Sequence, residues 1–444
     1  MKRTFILKRL LPVLALLLLV AGIGLALFSA KHTRASDVVK PVTIAGRTTG
    51  VPPQYFGMHF HYLARDTVWP EVGIGSWRFW NSYTAWTNIE ARPGAWDFGT
   101  LDKSMAIAEE HKVEPLVVLG MTPRWASTRP DEHSPYGKGA SAEVEDLDDW
   151  RGYVRKVVRR YKGRVPYYEI WNEPDLKETF TGTPEKMAEL TIAACKEIRA
   201  HDPAAKIVGP ALTSGAHAFP WYERFLAAMG PSPCFDVMGW HFYTAENAPE
   251  RLVEVMAKVR AMQKKHGIER MPVWNTESGY FLENDDGPRV AGTIGDPDKL
   301  ILNSELATAY LMRSMILGYS LGIERFYWYA WDDEELGLRE PKTRRAKRSG
   351  TAYGTVQRWM IGSELSDCGN SFDPQATRWR CTVKKNGREA FLLWSTKGFQ
   401  KFTIPKNWQV VAFEEDAGNT VSLPGDGMSI GEVPVLLKRE PGKW

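Results

Sequence analysis

Two short segments carry the residues best suited to chemistry. Tyr167-Tyr168-Glu169-Ile170-Trp171-Asn172-Glu173-Pro174 is an aromatic and β-branched run that stops on a polar tip. Such residues favour a strand, and Pro174 cannot donate to a ladder, so the strand ends there. Val273-Trp274-Asn275-Thr276-Glu277-Ser278-Gly279 has the same form, with Glu277 placed 104 residues after Glu173. Two carboxylates on two strand tips of one barrel can divide the work of glycosidic-bond cleavage.

The elements that must hold these tips recur along the chain. Strand-like runs are expected at Tyr55–His61, Ser76–Asn81, Pro115–Gly120, Tyr167–Trp171, Lys206–Ala211, Val237–Tyr243, Pro272–Glu277 and Glu324–Trp331. Helical spacing separates several of them. Trp150, Val154, Val157, Val158 and Tyr161 share one face of a predicted helix. Leu300–Leu317 and Thr351–Ile361 read as two more helices. Eight alternating strand and helix units predict an α/β fold, a (β/α)8 TIM barrel with its chemistry at the C-terminal ends of the strands. A doubly wound sheet is the alternative, but no glycine-rich phosphate turn follows the first strand.

After about residue 363 the pattern changes. Arg378–Lys384, Ala390–Ser395 and Gln409–Glu414 are short strands separated by Asn-Gly, Lys-Gly, Gly-Asn and Pro-Gly turns. The expected organisation is a leader or anchor over 1–35, a catalytic barrel over 36–362, and a small all-β C-terminal module over 363–444. Within it, residues 36–50 hold a strand-like Val42–Ala45 that could pair with the module.

Composition narrows the setting. Residues 1–35 hold six basic and no acidic side chains, with no charge from Leu10 to Ala30. That is an export pattern, compatible with a cleaved signal or with a membrane anchor through residues 10–30. Localisation is therefore expected to be periplasmic, anchored in the inner membrane or secreted. Setting the six aside leaves 51 basic against 53 acidic residues, which does not indicate a nucleic-acid partner. Four cysteines suit an exported chain. Cys368 and Cys381 flank an expected hairpin and are a candidate bridge, whereas Cys195 and Cys234 read equally as buried thiols or a second bridge.

Trp171-Asn172-Glu173-Pro174 after the fourth strand, with Glu277 closing the seventh, resembles the clan of retaining glycosidases built on (β/α)8 barrels. Within it the chain looks most like glycoside hydrolase family 39, a group with β-xylosidases, α-L-iduronidases and bacterial exopolysaccharide-degrading enzymes. The resemblance spans roughly residues 50–444, because a C-terminal β module is usual there. It implies Glu173 as acid/base, Glu277 as nucleophile, an Arg and a Tyr beside the nucleophile, and a poly- or oligosaccharide substrate. No metal or cofactor is required. Arg78 near the end of strand two and Tyr243 at the end of strand six fit the Arg and Tyr roles. Asn172 would bond the sugar 2-hydroxyl. His241 reads as a support for the carboxylates or as a core histidine. Trp328 and Trp331 are candidate stacking platforms, and His59 and His61 candidate donors lining the sugar site.

Two other readings are open. His59 and His61, with His241 and Asp332, could form the metal site of an amidohydrolase-like barrel. A barrel tethered at the membrane could instead bind polysaccharide without cutting it. The stretch from Arg339 to Arg348 holds six basic residues against Glu340 alone, so an anionic polymer is a candidate partner.

Overall fold

The computed structural model describes residues 41–244, 247–287, 300–423, 425, 427–442 and 444. The basic and apolar leader, including residues 10–30, lies outside the described residues. Among the described residues no helix is long and apolar enough to cross a membrane.

Eight parallel strands form the barrel: β1 (Phe56–His59), β2 (Ser76–Phe79), β3 (Glu114–Leu119), β4 (Tyr167–Ile170), β5 (Lys206–Val208), β6 (Met238–His241), β7 (Val273–Ser278) and β8 (Ile323–Trp328). Their order in the sheet is β5-β4-β3-β2-β1-β8-β7-β6. The seam between β5 and β6 is closed by the parallel bridges Val208–Val237 and Leu212–Trp240. All eight expected strands are present. Most end two or three residues early, because the polar tips are irregular backbone.

Leu116, Val208, Val237, Trp274 and Tyr327 fill the barrel floor. Strands buried on both faces need such continuous apolar runs. Helices cover the outside. Leu147–Arg160 begins three residues before the expected Trp150, because Asp146 accepts from the Asp148 backbone and caps it. Asn303 caps Ser304–Ser320 in the same way, so that helix starts after the expected Leu300. Between β1 and β2 there is no helix. The chain crosses there as a loop, which leaves a gap beside the last barrel helix, Arg348–Met360.

The C-terminal strands form an antiparallel sheet around Arg378–Lys385 and Arg388–Ser395, with Thr43–Arg47 paired to Glu364–Gly369 at its edge. Cys368–Cys381 bridges two neighbouring strands of this sheet. Cys195–Cys234 ties the helix Pro184–His201 to the segment before β6.

The helix Ser304–Ser320 is buried along nearly its whole length, between barrel and sheet. Its Arg313 is 1% exposed and bonds the Glu250 carboxylate, with Glu432 Oε2 at 3.4 Å. Trp394 Nε1, from the sheet, donates to the same Glu250 carboxylate at 2.9 Å. Removing one partner leaves a buried charge uncompensated. Arg313→Met is therefore expected to lower unfolding free energy by about 3–5 kcal/mol in denaturant melts. A loss below about 1 kcal/mol would mean that the junction does not depend on this pair.

Candidate active site

β4 alternates regularly as far as Ile170, with Tyr167 and Glu169 turned into the barrel. Regular geometry then breaks: Trp171 has φ +66° and Glu173 φ +43°. Left-handed backbone at a non-glycine residue costs about 1–3 kcal/mol each. Packing holds it. The Trp171 indole donates to Thr179 O at 3.0 Å and meets Trp150 and Phe180, while the Glu173 amide donates to Ala211 O at 2.8 Å. The turn delivers Asn172 and Glu173 to the mouth of the barrel.

β7 uses another device. Its pairing with β6 shifts register between Trp240–Asn275 and His241–Glu277. Such a bulge re-aims side chains. Thr276 and Glu277 consequently both face inward, although they are adjacent.

Arg78 gathers these groups. It is fully buried; Nε donates to Glu169 Oε2 at 2.5 Å, Nη1 to Glu277 Oε2 at 2.9 Å and Nη2 to Asn172 Oδ1 at 2.8 Å. The Tyr243 hydroxyl donates to the other Glu277 oxygen at 2.9 Å. Glu169 also accepts from Thr276 Oγ1 at 2.7 Å. On the opposite side, His241 Nδ1 lies 2.8 Å from Glu173 Oε1. One oxygen of Glu173, one of Glu277 and a His241 nitrogen all lie within 4.8 Å of one another. An inverting pair would be roughly 6.5–9.5 Å apart.

The environments of the two carboxyls differ. Burial, reinforced by the charge of Asp175, pushes Glu173 up to about 7, and Arg78 opposes this. Burial also pushes Glu277 up, and the charge of Glu173 adds to this, but His241, Arg78 and the Tyr243 hydroxyl oppose it. Two direct donors favour its ionised form. Burial holds His241 down at about 4, so its ring is neutral at neutral pH. His59 is also held low, by burial and then by Arg78, and its Nε2 donates to Thr276 O at 2.9 Å.

Arg78, Asn172, Glu173, His241, Tyr243 and Glu277 thus meet in one pocket, with His59 behind them. His61 sits further out, its ring 5.0 Å from that of Tyr329. The two tryptophans read as platforms are elsewhere. Trp328 is fully buried and packs against Tyr280, and Trp331 lines a separate cavity. Tyr329 lies beside the cluster instead. Its ring meets His59 at 5.0 Å, its hydroxyl accepts from Asn81 Nδ2 at 2.8 Å, and it feels the charge of Glu277. Strand parity carried the signal, since Tyr329 lies two residues beyond the inward Tyr327. Glu169 joins the site as well, and a carboxylate inside an apolar strand is itself a sign of a buried partner. Tyr136, which feels both Glu277 and Glu173, lies on a loop that no periodicity marks.

The metal reading fails on geometry. Both Asp332 oxygens are engaged, by the His61 and Tyr62 amides and by Thr67 Oγ1, and His59 is turned to a carbonyl. Among the described residues, the donor atoms that converge are those of Glu173, His241 and Glu277. The Arg78 guanidinium already supplies positive charge to that cluster.

Residues 81–280, which include both glutamates, match the family model of glycosyl hydrolases family 39. The chain is similar to that family over this segment. Solved structures agree on the fold. A family 39 glycoside hydrolase from Bacteroides cellulosilyticus WH2 is 16% identical, with a TM-score of 0.67 over 88% of this chain and 81% of its own. A monomeric β-xylosidase from Caulobacter crescentus CB15 is 15% identical, with a TM-score of 0.64 over 90% and 99%. A family 30 subfamily 8 xylanase from Clostridium acetobutylicum is 14% identical, with a TM-score of 0.56 over 90% and 97%. The protein is a retaining glycosidase, and the two non-glycosidase readings of its barrel are not favoured.

In this glycosidase, carbon-13 NMR of the Glu173 carboxyl is expected to show a midpoint near pH 7. Asp175→Asn removes a neighbouring negative charge and should lower that midpoint. An ordinary carboxylate midpoint in the native protein would contradict the assigned environment.

Proposed function

We propose that the protein hydrolyses O-glycosidic bonds of an oligo- or polysaccharide, with Glu277 as nucleophile and Glu173 as acid/base. The observation that carries this reading is the contrast across one pocket. Glu277 is gripped by Arg78 and Tyr243, whereas Glu173 is desolvated and its Oε1 meets a neutral imidazole.

The Glu277 carboxylate attacks the anomeric carbon as Glu173 passes its proton to the leaving oxygen. The glycosidic bond breaks and a glycosyl ester on Glu277 forms. Glu173, now ionised, takes a proton from water. The hydroxide adds to the anomeric carbon, the ester bond breaks, and Glu277 is released as carboxylate. The configuration after two inversions equals that at the start. Asn172 has its carbonyl oxygen occupied by Arg78, so its amide NH2 is the group left for the sugar 2-hydroxyl. Tyr329 and Tyr136 supply aromatic surface at the rim.

The setting is part of the proposal. The basic and then apolar N-terminus and two disulfides support export to the periplasm or beyond, with membrane association through residues 10–30 if that segment is retained. The likeness in fold to a β-xylosidase and a xylanase makes xylo-oligosaccharides and aryl xylosides the first substrates to test.

Glu277→Gln is expected to abolish turnover of every glycoside. Glu173→Ala should lose roughly 10²–10⁴-fold on substrates with poor leaving groups. It should spare activated aryl glycosides and recover with azide, yielding a glycosyl azide of retained configuration. In the native enzyme kcat/KM should fall as pH rises through about 7, because the protonated form of Glu173 is the one required. Undiminished hydrolysis by Glu277→Gln would end the assignment.

A further inference from the structure

The gap left where β1 and β2 lack a connecting helix is not empty of chemistry. A cavity of about 750 Å³ lies there, between the segment Val68–Gly73 and the helix Arg348–Met360, within the range of small-molecule sites. Arg339, Arg344, Arg345 and Arg358 line it, against the single acid Glu71. Trp69 and Trp331 contribute aromatic wall.

Arg339 is the unusual member. It is 8% exposed, yet its Nε has no hydrogen-bond partner and it joins no ion pair among the described residues. The carboxylate it feels most strongly, that of Asp332, is already occupied by two backbone amides and Thr67. Buried guanidinium groups are normally matched by an anion. Arg344 is held only by an exposed pair with Asp66 at 3.2 Å, and Arg345 is exposed at the rim. Arg348, by contrast, bonds Asp416 and does not line the cavity. Tertiary structure thus sorts the basic loop into a cationic pocket and a structural pair.

The cavity reaches the catalytic end of the barrel through Trp331 and Arg339, while Gly73 and Gln357 carry it down the side toward the start of β2. Trp331 lies two residues beyond Tyr329, whose ring borders the catalytic pocket, and its amide donates to His59 O at 3.0 Å. The loop after a barrel's last strand forms part of the substrate face. We propose that this cavity is a second carbohydrate subsite, separate from the catalytic carboxylates, that binds a uronate carboxylate on an acidic polysaccharide. Arg339 and Arg345 would hold the carboxylate and Trp331 the sugar ring. This deepens the glycosidase reading and rests on it for the connection to cleavage, though not for the binding itself.

Binding is measured by calorimetry on the full chain carrying Glu277→Gln, which leaves these groups untouched. The ligands are oligogalacturonate and oligoglucuronate hexamers, neutral xylohexaose, inorganic phosphate and anionic phospholipid vesicles. A uronate oligomer should bind, at least about tenfold more tightly than the neutral one, and should weaken as salt rises. Arg339→Met should lose about tenfold or more of that affinity. It should also raise the melting temperature of the free protein, because an unpaired buried charge is gone. Arg345→Gln, at an exposed position, should weaken binding without altering the melt. Equal binding of neutral and acidic oligomers, absence of uronate binding, unchanged affinity in both variants, phosphate binding as tight as uronate, or binding to vesicles alone would each overturn the proposal. Loss of uronate preference in a protein that still cleaves aryl glycosides refutes only this subsite. Uronate binding by a protein that cleaves no glycoside refutes only the catalytic reading.

Discussion

One buried guanidinium organises the catalytic end of this barrel. Arg78, from β2, bonds Glu169 within β4, Asn172 at the tip of β4, and Glu277 in the bulge of β7. A planar fork with five donors can serve three acceptors in different directions, which an ammonium cannot do with the same geometry. The desolvation of such a charge is severe, and two carboxylates and an amide oxygen are what make it tolerable. The coupling runs both ways. Glu169 is fully buried and would be stranded without Arg78, and Thr276 bonds Glu169 only because the bulge turns it inward. The strained turn of β4 and the irregular β7 are thus locked together by one polar cluster.

The same cluster explains how two glutamates at equivalent positions come to differ. Glu277 lies on the Arg78 side and has two direct donors. Glu173 lies on the far side, where its partner is an imidazole that burial keeps neutral and where Asp175 adds a second negative charge. Asp175 is held in place by Thr213 and His217, so the charge behind Glu173 is as fixed as the one in front of Glu277. Opposite electrostatic surroundings a few ångströms apart are what acid/base chemistry at neutral pH needs.

Much of the fold was legible in the sequence because it follows from short-range pattern. Apolar runs of strand length, amphipathic helices between them and polar tips predict a parallel barrel, and all eight strands lie where expected. The module was announced by its Gly-containing turns. Glu173, Glu277, Arg78, Asn172 and Tyr243 could be picked out because each sits at or near the end of a strand. The aromatic residues of strand eight were less legible. Trp328 and Tyr329 are neighbours, and in a strand a shift of one residue exchanges the core face for the cavity face. Trp328 packs into the core against Tyr280, whereas Tyr329 meets His59.

Short-range pattern thus set the architecture and placed two carboxylates, Glu173 and Glu277, on two strand tips. These depend on periodicity and on proline and glycine punctuation, which act over a few residues. What each charge faces follows from packing between distant strands. Whether Glu169 is stranded or paired, whether Glu277 shares a face with Thr276, and whether Arg339 meets a carboxylate all depend on groups brought together from distant strands. Burial makes those encounters decisive, because in a desolvated site the partner of a charge, and not its residue type, sets its protonation and its use.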